Sequence, residues 1–96
     1  MNGASSHSCA EIERSLLGAL ILDPERLPEA RETLRIEDFE SPGHRLVFEA
    51  ILAIADAQAG LDLRSVATWL TAERGIEPRK ARSIRDLWLH AALSEQ

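Results

Sequence analysis

The sequence predicts an all-α fold, a compact bundle of about five short helices. Ala, Leu, Glu and Arg are abundant whereas Gly, Pro and aromatic residues are sparse, and the abundant types lose little rotamer freedom in a helix. Apolar residues recur at spacings of three and four, as in helices that bury one face. No stretch alternates like a strand, and the short predicted connections favour antiparallel neighbours.

The composition indicates one small globular domain. Of the 96 residues, 45% are hydrophobic and 28% are charged, which is too apolar for a disordered segment. The formal net charge of -5 repels a phosphate backbone, so we expect protein partners rather than nucleic acid. The single cysteine, Cys9, excludes an internal disulfide and fits a reducing compartment. Because no export signal or membrane-length apolar run occurs, we expect a cytoplasmic protein without membrane contact.

The first helix is predicted to begin at a capping box, in which Ser8 precedes Glu11 by three residues. It should end before Pro24, since the residue before a proline is pushed out of the helical region. A turn and a short helix over about 28–34 are predicted next. The apolar positions of the first helix are Ile12, Leu16, Leu17, Leu20 and Ile21.

The third helix is predicted from Ser41 and Pro42, an N-cap followed by a proline at the first helical position. It should run to about Gln58, with Gly60 as its left-handed cap. Phe39 is expected to close the end of the bundle. The predicted centre of the fold lies on this helix and comprises Leu46, Val47, Phe48, Ile51, Leu52, Ile54 and Ala55.

Two further helices are predicted from their end signals. Asp62 can cap a fourth helix, which Gly75 terminates in the left-handed conformation. Pro78 opens a fifth helix. The fourth helix carries the apolar residues Val66, Trp69 and Leu70, and the fifth carries Ala81, Ile84, Leu87, Trp88 and Ala91.

No catalytic site is expected from the titratable residues. The best local group comprises Asp38, Ser41 and His44. Asp and Ser at a helix start usually cap free N–H groups, so we interpret these residues as caps and His44 as a capping or packing residue. The sequence also lacks the glycine-rich loops that hold nucleotide phosphates. We therefore expect neither ATP hydrolysis by this chain nor a bound cofactor.

A metal site is likewise not expected. His7, Cys9 and Glu11 could approach one ion, but a fourth ligand is missing. The acidic pair of Glu11 and Glu13 has no neighbouring group that indicates acid and base roles, and a solvated helix face explains it.

Two candidate binding features lie on the fifth helix. Its first two turns carry a basic patch of Arg79, Lys80, Arg82 and Arg85, which opposes the helix dipole. A solvated face is the simpler interpretation, and contact with an acidic partner or a phosphate backbone is the functional one. The second feature is an apolar stripe, which either packs in the core or docks a partner: Ile84, Leu87 and Trp88.

Short segments occur in a recognisable order between Glu11 and Gly75, about two thirds of the chain. They are Leu-Leu-Gly-Ala-Leu-Ile-Leu-Asp ending at Asp23, Asp38-Phe39, His44-Arg45-Leu46-Val47-Phe48 with Ile51, Leu61-Asp62-Leu63, and Val66-Ala67 with Leu70. This ordered set resembles the N-terminal domain of DnaB-type replicative DNA helicases. After Gly75 the chain departs from the family's Gly-Gly turn and aromatic-Leu helix start.

The resemblance implies a docking and assembly domain, part of the collar of a hexameric helicase, which helps to recruit primase. The implied partners are replication proteins: primase, a replicative helicase subunit or a helicase loader, with self-association left open. We divide the chain into a flexible N-terminus (1–8), a helicase-N-terminal-like core (9–75) and a divergent C-terminal helix (76–96). The alternatives are a nucleic-acid-binding protein that uses the basic patch, or a truncated helicase remnant.

Overall fold

The computed structural model describes residues 2–82, with side chains from residue 11 onward, and this part of the chain is helical without a strand. The helices are α1 (Asn2–Leu22), α2 (Leu27–Thr33), α3 (Pro42–Asp56) and α4 (Leu63–Arg74), joined in part by 3₁₀ turns at Pro24–Arg26 and Ile36–Asp38. A fifth helix, α5, begins at residue 78 and is described to residue 82. The predicted all-α bundle of about five short helices is confirmed. No described helix is long and apolar enough to cross a membrane.

Local capping signals start α3 and α4 as predicted. The Ser41 hydroxyl accepts a hydrogen bond from the backbone N–H of His44 at 3.4 Å, and a proline follows Ser41 in the first turn. At the start of α4, the Asp62 carboxylate accepts from the backbone N–H of Ser65 at 2.8 Å, and the Ser65 hydroxyl accepts from the N–H of Asp62 at 2.9 Å. These bonds satisfy N–H groups that have no partner within the helix.

The predicted start of α1 at the Ser8 and Glu11 pair was wrong, because α1 already begins at Asn2. A capping box favours a helix start but does not prevent a helix from extending upstream, and no proline precedes Ser8. The predicted end was right. Asp23 leaves the helical region before Pro24, with φ -136° and ψ 77°.

The two predicted left-handed helix ends had different outcomes. Gly75 has φ +69° after α4, as expected. The prediction for Gly60 was wrong, since the left-handed residue after α3 is Gln58, with φ 57°. Because α3 ends at Asp56, the reversal falls two residues before the glycine, and the N–H of Ala59 donates to the Ile54 carbonyl at 3.1 Å to close it.

The core is formed where α3 packs against α1 and α4. The Phe39 and Phe48 rings lie 5.0 Å apart between centroids, and both side chains belong to the buried core. Leu46, Leu52 and Ala55, which we placed at the centre, are only partly buried, because the buried stripe of α3 runs along Val47, Phe48, Ala50, Ile51 and Ile54. The buried core residues are Leu17, Leu20, Ile21, Leu27, Phe39, Val47, Phe48, Ala50, Ile51, Ile54, Val66 and Leu70.

Candidate functional site

The polar residues Asp38, Ser41 and His44, in the second 3₁₀ turn and at the start of α3, bind backbone and side-chain groups of nearby residues. The Asp38 carboxylate accepts from the backbone N–H of Arg35 at 2.9 Å, and Ser41 caps His44. The His44 ring, through Nδ1, lies 2.7 Å from a carboxylate oxygen of Glu13. Asp38 and Ser41 therefore act as caps, as predicted. Among the described residues, no group of three His, Cys, Asp or Glu side chains could hold a metal ion.

Glu13 joins α1 to the start of α3, which the sequence analysis did not predict. The side chains of His44 and Glu13 are only 13% and 12% exposed. The second carboxylate oxygen of Glu13 accepts from the backbone N–H of Glu40 at 2.7 Å. Because an ionised carboxylate only accepts hydrogen bonds, Nδ1 of His44 is the donor in this contact while Glu13 is ionised. Glu13 thus belongs to a partly buried contact and not to a solvated face.

The hydrogen bonds of Glu13 also set its charge state. Burial raises the pKa of the Glu13 carboxyl, but the His44 ring and the backbone N–H groups of Glu40 and Ser41 outweigh burial and hold the pKa below its ordinary value. The carboxylate form is therefore favoured in the folded protein.

Two salt bridges connect α2 and α4 to α3. Arg31 donates to the Asp56 carboxylate at 2.8 Å. Arg74 donates through two nitrogens to Glu49, at 3.2 and 2.5 Å, and its guanidinium carbon lies 5.2 Å from the ring centroid of Trp69. Within the described part of the chain, a hydrogen-bonded side-chain pair thus joins each of α1, α2 and α4 to α3.

A groove with a volume of about 440 Å³, hereafter the α4–α5 groove, lies between α4 and the first residues of α5. Its walls are Arg64, Ala67, Thr68, Thr71 and Ala72 from α4, followed by Pro78, Ala81 and Arg82. The α4 positions recur at spacings of three and four, so they share one helix face. Val66 and Leu70 lie on another face of α4 and are buried in the core. The sequence analysis considered only the core face and missed the groove.

Part of the predicted basic patch lies beside this groove. Arg79, Lys80 and Arg82 are exposed in the first turns of α5, and Arg82 lines the groove. The remaining candidates lie outside the described residues: Arg85 of the basic patch and the apolar stripe of Ile84, Leu87 and Trp88. The side chains of His7 and Cys9 also lie outside the described part.

Comparison with known families identifies the relatives of this chain. The family described as DnaB-like helicase N terminal domain matches residues 5–93. The chain belongs to this family. The match extends beyond the segment from Glu11 to Gly75 at both ends, and it confirms the resemblance to the DnaB N-terminal domain.

Curated relatives of this DnaB-like domain are replicative helicases. The chain is 40% identical over 67 residues to the replicative DNA helicase DnaB of Geobacillus stearothermophilus, which covers 70% of the chain and 15% of the relative. The corresponding protein of Synechocystis is 37% identical over 60 residues, or 62% of the chain and 7% of the relative. The chain therefore spans only a small part of the relatives that it matches. No solved structure matches it.

Proposed function

We propose that this chain is a non-catalytic docking domain that binds another protein in DNA replication. The observation that carries the proposal is the match to the DnaB-like helicase N-terminal domain family over residues 5–93. The curated relatives are named replicative DNA helicases. Asp38, Ser41 and His44 are engaged in capping and interhelical bonds, which supports a binding role over a catalytic one.

The proposed partners are primase, a replicative helicase subunit or a helicase loader, and a second copy of the chain is an alternative. We propose that binding takes place in the cytoplasm. The net charge of -5 favours a protein partner, since nucleic acid would be repelled at long range.

Calorimetric titration tests this proposal. The purified chain is titrated with primase, replicative helicase and helicase loader from the same genome, each at low and at physiological salt. We expect saturable heat with at least one protein and a matching shift in size-exclusion chromatography. Flat titrations with all three proteins and no shift would overturn the docking role.

Nucleic-acid binding is a second candidate, because Arg79, Lys80 and Arg82 form a group of exposed cations. Fluorescence anisotropy with labelled single-stranded and duplex DNA at low salt tests it. Salt-sensitive binding that the triple substitution R79A/K80A/R82A removes would support this function. A constant anisotropy over the full protein titration would exclude it.

A further inference from the structure

We propose that the α4–α5 groove is the docking site for an acidic amphipathic helix of a partner protein. This inference rests on the proposed docking function and deepens it, because it specifies the surface and the chemistry of the segment that binds there. Three properties of the groove support it: its walls, its charges and its position beside the basic start of α5.

The walls of the groove fit an apolar surface. Ala67 and Ala72 line it together with the methyl-bearing Thr68 and Thr71, and Ala81 is a wall residue that is only 2% exposed. These side chains are short, so another backbone can approach α4 closely. The volume of about 440 Å³ lies within the range of roughly 300–1,000 Å³ that is usual for binding pockets. A groove of this kind accepts the apolar face of a helix.

The charges of the groove select an acidic occupant. Arg64 and Arg82 both line it, and within the described part of the chain neither side chain forms an ion pair or a hydrogen bond. Arg31 and Arg74, by contrast, are paired with carboxylates across the bundle. In a chain of net charge -5, two unpaired guanidinium groups beside one apolar groove are complementary to carboxylates.

The neighbouring cations extend this complementarity. Arg79 and Lys80 are exposed on the same first turns of α5 that supply Arg82. Carboxylates that flank the apolar face of a bound helix would meet cations of the groove and of this turn, which raises association rates and excludes basic partners. A nucleic acid would satisfy the cations but not the apolar walls, so the groove favours a peptide.

Peptide selection tests the inference directly, whichever protein supplies the helix. The whole chain is used to select binders from a display library of stapled helical peptides with randomised surface positions. We expect the enriched peptides to combine an apolar face with flanking Asp or Glu residues. Enrichment of neutral or basic peptides, or of none, would overturn the proposal.

Variants locate the binding of the enriched peptides. R64A/R82A should weaken it about tenfold or more, because desolvated charge pairs contribute strongly to affinity. The control R26A/R35A removes the same charge from exposed residues elsewhere, although Arg26 also pairs with Asp23 at 3.5 Å, and it should leave the dissociation constant unchanged. Ala72→Trp fills the groove at an exposed position without changing charge and should also weaken binding. Equal affinity for the wild type and both groove variants would contradict the assignment.

The same variants separate this inference from the docking function. If primase, helicase or loader binds the wild type and R64A/R82A equally well, docking stands and the groove assignment fails. If the acidic peptides bind in the groove but none of the three proteins binds the chain, the groove assignment stands and the replication role fails. Self-association that R64A/R82A abolishes, without peptide enrichment, would identify a second copy as the occupant and overturn the partner assignment. DNA binding that R64A/R82A abolishes would also overturn the partner assignment.

Discussion

The contact of Glu13 with His44 and the contact of Arg31 with Asp56 have almost the same length but different surroundings. Their closest atoms lie 2.7 and 2.8 Å apart. The side chains of the first pair are 13% and 12% exposed, whereas those of the second are 42% and 63% exposed. Water can replace the partner of a lost charge at the second contact far more readily than at the first.

The pair of Arg74 and Glu49 lies between these two cases, with side chains that are 40% and 33% exposed. All three pairs join another helix to α3, so they form a graded series within one architecture. We therefore expect burial, and not distance, to decide how much each contact contributes to the free energy of unfolding. The following predictions test this ranking.

The largest effect is expected for Glu13→Ala. The substitution leaves the His44 ring and the Glu40 N–H without their acceptor in a partly buried position, so we expect a loss of about 1–3 kcal/mol. Urea unfolding followed by circular dichroism measures it. Glu11→Ala is the matched control, since Glu11 is exposed on the same helix and should have little effect. Equal losses for both variants would contradict the ranking.

The stabilising effect of Glu13 should also depend on pH. Its pKa is lowered from the ordinary value of 4.5, so the unfolded chain binds this proton more readily than the folded protein. The contribution is therefore fully present above the unfolded pKa, near 4.5, and is lost as the pH falls through the folded pKa. The difference in unfolding free energy between the wild type and Glu13→Gln should shrink as the pH falls below about 4.5 and through the folded pKa of Glu13. A difference that stays constant down to strongly acidic pH would contradict this assignment.

An intermediate effect is expected for Arg74→Ala. The substitution removes a two-bond contact with Glu49 and the stacking on Trp69 at a half-exposed site, so we expect a loss of about 0.5–1 kcal/mol. Thermal and urea unfolding give the value. Arg74→Lys keeps the charge but loses the two-nitrogen contact with Glu49. Its free energy of unfolding should lie between those of the wild type and Arg74→Ala. If Arg74→Lys is as unstable as Arg74→Ala, the stabilisation comes from the two-nitrogen contact with Glu49 and not from the positive charge alone.

The smallest effect is expected for Arg31→Ala. The hydrogen bond from Arg31 lowers the pKa of Asp56, but both side chains are exposed and water screens the pair. We expect the midpoint of urea unfolding to stay within experimental error of the wild type. A double-mutant cycle with Asp56→Ala should give no measurable coupling energy, and a coupling energy as large as the loss expected for Glu13→Ala would refute the burial argument.

The helix signals that the sequence predicted correctly are short in range. Ser41, Asp62 and Gly75 act on groups within a few residues of themselves, so their effects can be read from neighbouring letters. The position of the left-handed residue after α3 was missed because glycine is preferred there but not required. Because α3 ends at Asp56, Gln58 and not Gly60 adopts the left-handed conformation.

The contacts that were missed depend on segments far apart in the chain. Glu13 and His44 are separated by 31 positions, and an acidic residue on a helix gives no local indication of a partner at that distance. The α4–α5 groove was missed for a similar reason. The spacing of Ala67 and Thr71 places them on one face, but only the position of α5 turns that face into a groove.

The sequence by itself determined the helical class, most helix boundaries and the family, because these depend on local propensity, capping and an ordered set of short segments. The tertiary structure alone decided which charges are buried and where two helices enclose a groove. These properties depend on distances between segments, and no local pattern encodes them. Glu13 shows this most clearly. The sequence predicts a solvated carboxylate, and the packing of α1 beside the start of α3 places it in a partly buried contact.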